Sequence, residues 1–214
     1  MGVLSAYGGI GKTTTSLCLA MRLSQLYKKV LYIDAENIQN FIEKMPSTDR
    51  TETYADKEVA ASLQNLTTNT YEYIKKQIIH GKFDYLPPFE KYLFNYHLSL
   101  DDIYRYVEAL ASKGEYDYII VEFENAFNSA TVQFINNMNK LVFVTKGFED
   151  ERMASLVSLT SKLKRSTYML DTTNSETTEI YGIPVAESVN LDLSKDISSI
   201  LLGGQFKKLA EAVL

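Results

Sequence analysis

The stretch Ser5-Ala6-Tyr7-Gly8-Gly9-Ile10-Gly11-Lys12-Thr13-Thr14-Thr15 constrains the fold more than any other. Gly2-Val3-Leu4 runs into it as an apolar stub, and a helical apolar pattern from Leu17 to Leu26 runs out of it. Strand, glycine-rich turn, Gly-Lys-Thr and helix, in that order, describe a P-loop. Glycines let successive backbone N–H groups turn inward around phosphate oxygens. The helix that follows adds the positive end of its dipole. In such a loop Lys12 reaches the β- and γ-phosphates, and the Thr13 hydroxyl holds Mg²⁺. The competing reading is a glycine-rich strand–helix turn with no ligand. Two positions depart from the strict pattern G-x-x-x-x-G-K-[ST]: Ala6 replaces the first glycine, and Tyr7 follows it.

A chain of 214 residues, 45% hydrophobic and 23% charged, suits one α/β domain over residues 1–214 with a sizeable core. Its net charge of −5 disfavours nucleic acid and anionic lipid as general partners. One cysteine, Cys18, allows no internal disulfide and fits a reducing compartment; inside a helical pattern it reads as a packing residue. No apolar run is long enough to span a membrane, and no signal peptide is evident, so a cytoplasmic chain is expected. Only about four residues precede the loop, fewer than a central strand usually has. That shortness raises the expectation of a domain cut from a longer chain.

The rest reads as alternating strands and helices. Val30-Leu31-Tyr32-Ile33 is a strand ending in Asp34-Ala35-Glu36. Carboxylates just past a strand's carboxyl end, in a sheet that begins with a P-loop, point to the nucleotide edge; helix capping alone would also explain Asp34. Asn37 to Thr53 reads as loop with a short helix. Helices are expected around Val59–Leu63, over Tyr71–Ile79 and from Ser99 to Gly114. Lys82–Leu86 reads as a strand stopped by Pro87-Pro88. Tyr116–Glu122 is a continuous apolar strand ending in an acid, the expected second Mg²⁺-side carboxylate. Leu141–Thr145 is another buried strand, with a helix from about Glu149 to Lys164. Tyr168–Leu170 is a short strand ending in Asp171, Ile183-Pro184 begins a last strand or loop, and Gln205–Leu214 closes as a helix. His80 and His97 are isolated and receive no metal role. The fold class is therefore α/β, a mostly parallel sheet with helices on both faces.

Tyr7-Gly8-Gly9-Ile10-Gly11-Lys12-Thr13-Thr14 resembles the P-loop of the ParA/MinD superfamily, which usually reads Lys-Gly-Gly-x-Gly-Lys-Thr-Thr. The resemblance continues through Val30–Glu36, Tyr116–Glu122, Val144-Thr145 and Ile183-Pro184. Within the superfamily, Phe83-Asp84-Tyr85-Leu86-Pro87-Pro88 ahead of Tyr116-Asp117-Tyr118 is most similar to the CpaE/TadZ branch. Members of that branch position the Tad/Flp pilus secretion machinery, and many carry a receiver-like domain ahead of the ATPase. The resemblance implies an ATP- and Mg²⁺-binding switch, slow in hydrolysis, cytoplasmic and recruited to the inner membrane face or a cell pole. It also implies a homodimer across the nucleotide face and pilus or secretion components as partners.

The site residues implied are Gly8, Gly9, Ile10, Gly11, Lys12, Thr13 and Thr14 around the phosphates, Thr14 on the α-phosphate. Thr13, Asp34 and Glu122 stand on the Mg²⁺ side, Glu122 being a glutamate where the family has aspartate. Glu36 stands where the family orients the attacking water, so Lys12, Asp34 and Glu36 form the catalytic set. Asp171, at the end of the strand ahead of the loop that contacts adenine in the family, is the nucleotide-binding candidate on the base side. Tyr7 replaces a second lysine, and a neutral phenol cannot stabilise a developing phosphoryl charge. The alternative function is a nucleotide-holding scaffold without hydrolysis. A tyrosine kinase of the related P-loop type would carry a tyrosine-rich tail, and this chain ends Leu209-Ala210-Glu211-Ala212-Val213-Leu214.

Overall fold

The computed structural model describes residues 1–125, 128–146, 151–160 and 166–214. Eight strands form one sheet in the order β3-β2-β4-β1-β5-β6-β8-β7. In chain order, β1 (Gly2–Leu4) leads through the P-loop to α1 (Lys12–Gln25), then β2 (Val30–Asp34). A 3₁₀ turn at Phe41–Lys44 precedes α2 (Lys57–Gln64), α3 (Thr68–Gln77) and β3 (Asp84–Tyr85). A second 3₁₀ turn, Leu93–Tyr96, leads to α4 (Leu100–Lys113), β4 (Tyr118–Glu122), α5 (Ser129–Asn136) and β5 (Lys140–Thr145). Then come α6 (Glu151–Thr160), β6 (Ser166–Asp171), β7 (Glu179–Ile180), β8 (Ile183–Ser188), α7 (Ile197–Leu202) and α8 (Lys207–Val213). Neighbouring strands are parallel except for the β7–β8 hairpin at one edge.

The strand sequences explain the layers. Successive side chains of a strand face opposite sides, and here both sides are covered. Leu31 and Ile33 of β2, with Leu141 and Phe143 of β5, pack under α2 to α6. Val30 and Tyr32, with Val142 and Val144, pack under α1, α7 and α8. That double coverage is why these strands read as unbroken apolar runs. Cys18 lies in the second core and is fully buried, and burial pushes its thiol well above the ordinary range.

Most expected elements are present, with informative differences. The expected strand at Lys82–Leu86 narrows to Asp84–Tyr85: it pairs with β2 on one side, meets only an isolated antiparallel bridge to Ile79 on the other, and the next residues run into Pro87-Pro88. The expected helix over Tyr71–Ile79 starts earlier, at Thr68, because Thr67 and Thr70 form a reciprocal capping box. Asp56, Ser99 and Gly114 act as caps as their residue types suggest. The helix expected from Glu149 to Lys164 is described over Glu151–Thr160, and its outer residues lie outside the described ones. The segment from Ile183 is a full strand, β8, and the short helices α5 and α7 come in addition. Among the described residues, no helix is long and apolar enough to cross a membrane.

Candidate functional site

Sheet order brings the site together. β1 lies between β4 and β5, so the loop leaving β1 rises beside the carboxyl end of β4. β2 pairs with β4 on the other side, in a register that sets Asp34 directly opposite Glu122. Ala35 N–H donates to the Glu122 carbonyl at 3.0 Å, carrying the pairing one step past the strand end. The P-loop and both acidic strand ends therefore meet at one edge.

The loop is fixed from within. Ser5 Oγ accepts from Tyr7 N–H at 3.0 Å and donates to the Tyr7 carbonyl at 2.9 Å. Asn125, in the amide orientation that satisfies both neighbours, donates to the Tyr7 carbonyl at 3.0 Å and accepts from Gly8 N–H at 3.1 Å. Gly9 and Gly11 adopt φ of 69° and 98°, where a side chain is strained. Gly11 is the N-cap of α1, and no side chain caps the helix there. An uncapped first turn opening onto a glycine loop offers N–H donors and positive dipole to an anion. Ile10 is buried in the core beneath α1, so only its backbone faces the cradle. Thr14 is buried in the first turn. Thr15 and Ser16 turn their hydroxyls back onto the Gly11 and Lys12 carbonyls, at 2.8 and 3.1 Å.

The charged side chains converge above this turn. Lys12 Nζ donates to Glu36 Oε1 and, at 3.2 Å, to Glu122 Oε1. Thr13 Oγ1 donates to the same Glu122 oxygen at 2.6 Å. Asp34 Oδ1 accepts from Glu36 N–H at 2.8 Å, which turns the chain so that Glu36 reaches Lys12. All of Lys12, Thr13, Asp34, Glu36 and Glu122, the residues expected from sequence, thus share one locus. Burial disfavours the Lys12 charge, but Glu122 and Glu36 outweigh it and hold the ammonium above its ordinary range. Burial, joined by the charges of Glu122 and Glu36, raises the Asp34 carboxyl well above the ordinary range. Glu36 is raised too, by burial and then by Glu122, with Lys12 opposing.

The donor set fits Mg²⁺, which prefers hard oxygens and takes one or two carboxylates together with phosphate oxygens and water. Thr13 and Glu122 already touch, and Asp34 stands opposite Glu122 in register. Among the described residues no group of three or more His, Cys, Asp or Glu is gathered to hold a metal by itself. An ion here would complete its shell from phosphate and water.

Asp171, at the carboxyl end of β6, is bonded within its own turn. Its Oδ1 accepts from Thr173 N–H at 2.9 Å and from Thr173 Oγ1 at 2.8 Å. Its Oδ2 accepts from Ser175 N–H at 3.1 Å, Ser175 Oγ at 2.6 Å and Ser188 Oγ at 2.5 Å. Burial alone would raise this carboxyl, yet the bonds from Ser175, Ser188 and Thr173 hold it below the usual range. Both oxygens are thus engaged in shaping the turn after β6.

Three site residues were not anticipated. Tyr32 donates to Glu122 Oε2 at 2.8 Å, Glu124 Oε1 accepts from Asn37 N–H at 2.6 Å, and Asn125 pins the P-loop. A hydroxyl inside the aliphatic run Val30–Ile33 is a signal for the first. Period-2 alternation past Glu122 is a signal for Glu124. Tyr7 turns its ring toward α6, with the Arg152 guanidinium 5.7 Å from the ring centre. A cleft of about 500 Å³ lined by Met1, Tyr104, Tyr118 and Lys140 lies at the amino ends of the strands and includes none of the site residues.

A family model described as an AAA domain, AAA_31, matches residues 2–173. No curated protein sequence matches the chain. Among solved structures, the chain is similar to a ParA family ATPase from Chlorobium tepidum TLS, with a TM-score of 0.74 at 18% identity. That match covers 99% of this chain and 95% of the other. The septum site-determining protein MinD of Pyrococcus horikoshii OT3, complexed with Mg-ADP, matches with a TM-score of 0.70 at 16% identity over 99% and 94% of the two chains. Cobyrinic acid a,c-diamide synthase of Mycobacterium smegmatis, with a bound ATP analog and magnesium, matches with a TM-score of 0.65 at 15% identity over 99% and 89%. At such identities the likeness is one of fold: the sheet and helices are those of a ParA/MinD-type P-loop NTPase.

Proposed function

The chain belongs to the AAA_31 family of AAA domains, and from that premise we propose that it is a Mg²⁺–ATP-binding switch of ParA/MinD type with slow hydrolysis. The observation that carries this reading is the convergence of Lys12, Thr13, Asp34, Glu36 and Glu122 beside an uncapped helix start. In the nucleotide-bound state Gly8, Gly9, Gly11 and the first turn of α1 supply N–H groups to the phosphates, and Thr14 lies on the α-phosphate. Lys12 exchanges its carboxylate partners for phosphate oxygens, which frees Glu36 to orient a water toward the terminal phosphate. Thr13, Glu122 and Asp34 would hold Mg²⁺, which supplies charge neutralisation for the phosphates.

Release of Glu36 from Lys12 also changes the segment it begins. Asn37 N–H is held by Glu124, and the Asn37 carbonyl and side chain accept from Leu93 and Phe94 at 3.1 and 3.2 Å. Nucleotide state would thus be read out at the segments after Asp34 and Glu122. By the CpaE/TadZ resemblance, that readout positions a membrane-associated assembly such as the Tad/Flp pilus machinery, through a homodimer across the nucleotide face. Asp171 supports the loop after β6, which would lie on the base side of the nucleotide.

A second reading, a nucleotide-holding scaffold without hydrolysis, is favoured by Tyr7, whose neutral ring lies toward Arg152. Calorimetry of ATP with and without Mg²⁺, on wild type and Lys12→Ala, tests the nucleotide site. Binding that is strengthened by Mg²⁺ and lost in Lys12→Ala supports it, and no binding to the wild type overturns it. Phosphate release by the same two proteins then separates switch from scaffold.

A further inference from the structure

We propose that Tyr32 is a positioning residue of the nucleotide site: its hydroxyl holds one oxygen of Glu122 so that the other faces Thr13 and Lys12. The inference rests on the nucleotide-site reading above. Tyr32 is fully buried in β2 on the α1 side of the sheet. A buried phenol needs a partner for its O–H, and this one donates to Glu122 Oε2 at 2.8 Å. Glu122 Oε1 is thereby left to Thr13 Oγ1 at 2.6 Å and Lys12 Nζ at 3.2 Å. The two carboxylate oxygens have separate partners on separate sides.

The need for such a clamp follows from the residue type. A glutamate has one more side-chain torsion than an aspartate, and an unanchored one visits more rotamers. Tyr32 restricts that freedom through a charge-assisted hydrogen bond from a fully buried, packed ring. The Phe41 ring packs edge-on to Tyr32 with centroids 4.9 Å apart, and Tyr85 packs on Phe41 at 5.6 Å. Tyr85 in turn donates its hydroxyl to the Asp49 carbonyl at 3.3 Å. The clamp is thus built into the same ring series that supports the segment between Asp34 and α2.

The test is calorimetric titration of ATP, in Mg²⁺ and in EDTA, into wild type, Tyr32→Phe, Glu122→Asp and the double variant. In Mg²⁺, Tyr32→Phe is expected to weaken ATP binding about tenfold, the scale of one lost hydrogen bond to a charged group. In EDTA the same substitution leaves the affinity within about twofold of wild type, an energy difference below RT. In the Glu122→Asp background, where the shorter side chain withdraws from the phenol, Tyr32→Phe adds no further loss. Phe41→Leu, which loosens the ring without touching Glu122, gives a smaller loss of the same kind and serves if Tyr32→Phe does not fold. Equal Mg²⁺ enhancement in wild type and Tyr32→Phe overturns the proposal. Equal losses in Mg²⁺ and EDTA overturn it too, since they reflect packing alone. If the wild type binds no ATP in either condition, the nucleotide reading falls and takes this inference with it. Binding that is lost in Lys12→Ala but unchanged in Tyr32→Phe removes only the inference.

Discussion

Thr13 donates its hydroxyl to Glu122 at 2.6 Å, across 109 positions of sequence. The contact exists because the first turn of α1 and the end of β4 are brought to one edge by the β4-β1-β5 strand order. It also holds together the two residues proposed above as Mg²⁺ ligands. Thr13→Ala should therefore reduce the Mg²⁺-dependent part of ATP affinity by about tenfold or more, while Thr13→Ser keeps most of it. Calorimetry with and without Mg²⁺ checks this; equal affinities for the alanine variant and wild type in Mg²⁺ would refute it.

Gly11 is constrained in two ways that act together. Its φ is 98°, and a Cβ built there would lie 2.6 Å from Leu191 Cδ1. Gly9 has a φ of 69° but open space around it. Gly11→Ala should cost about 2–4 kcal/mol and Gly9→Ala about 1 kcal/mol, since only the former adds a clash to backbone strain. At about 2–4 °C per kcal/mol for a chain of this size, thermal melts separate the two. Equal melting temperatures would show that Leu191 yields freely.

The contrast between these residues shows what a sequence reveals. The P-loop, the acidic strand ends and the doubly covered strands are legible because each is local: a spacing of glycines, a Lys-Thr pair, an apolar run ending in an acid. Lys12, Thr13, Asp34, Glu36 and Glu122, which the structure brings to one place, are singled out in that way. Tyr32, Glu124 and Asn125 are not, because their roles depend on which strand lies beside which. The part Asp171 plays in its own turn is hidden for the same reason. Its position at the end of β6 is visible in sequence, but the closing donor, Ser188, comes from β8, 17 residues later. Short elements such as α5 and α7 carry too few turns for a periodic pattern to stand out.

Asp34 gives the free protein a pH dependence. Burial, with Glu122 and Glu36 nearby, raises its carboxyl well above the ordinary range, and Glu36 is raised too. Above about pH 4, the ordinary carboxylate range, the folded chain then holds more protons than the unfolded one. Stability contributed by these groups falls as pH rises through their raised values. Asp34→Asn removes the charge yet keeps an oxygen to accept Glu36 N–H. It should stabilise the nucleotide-free protein by about 1–2 kcal/mol at neutral pH, and lose that advantage near pH 4, where Asp34 is protonated in the folded state. Melts at pH 4.5 and 7.5 test the sign: a variant less stable than wild type at pH 7.5 would contradict it.

Asp171 should behave in the opposite sense. Its carboxylate serves Thr173, Ser175 and Ser188, and those bonds hold it below the usual range. Its contribution is present at neutral pH and is lost as pH falls through that depressed value. Asp171→Ala leaves several donors without an acceptor and should cost about 2–4 kcal/mol. Asp171→Asn, which keeps one acceptor oxygen, should cost less. Denaturant unfolding gives the comparison, and an alanine variant as stable as wild type would show that solvent replaces every one of these bonds.

Tyr7 sets the expected rate. Its backbone is held by Ser5 and Asn125, and its ring lies toward Arg152. A phenol there adds no positive charge to the phosphate cradle, where Lys12 is already shared by Glu36 and Glu122. Tyr7→Lys should therefore raise ATP turnover by about tenfold to a hundredfold, the scale of one added charge at a phosphoryl transition state. The backbone bonds do not involve the ring, so the loop should keep its shape and ATP affinity should change little. Tyr7→Phe, which keeps the ring and adds no charge, should hydrolyse at the wild-type rate. Phosphate release under saturating Mg²⁺–ATP decides: if the lysine variant turns over no faster than the phenylalanine variant, the absent cation does not limit turnover.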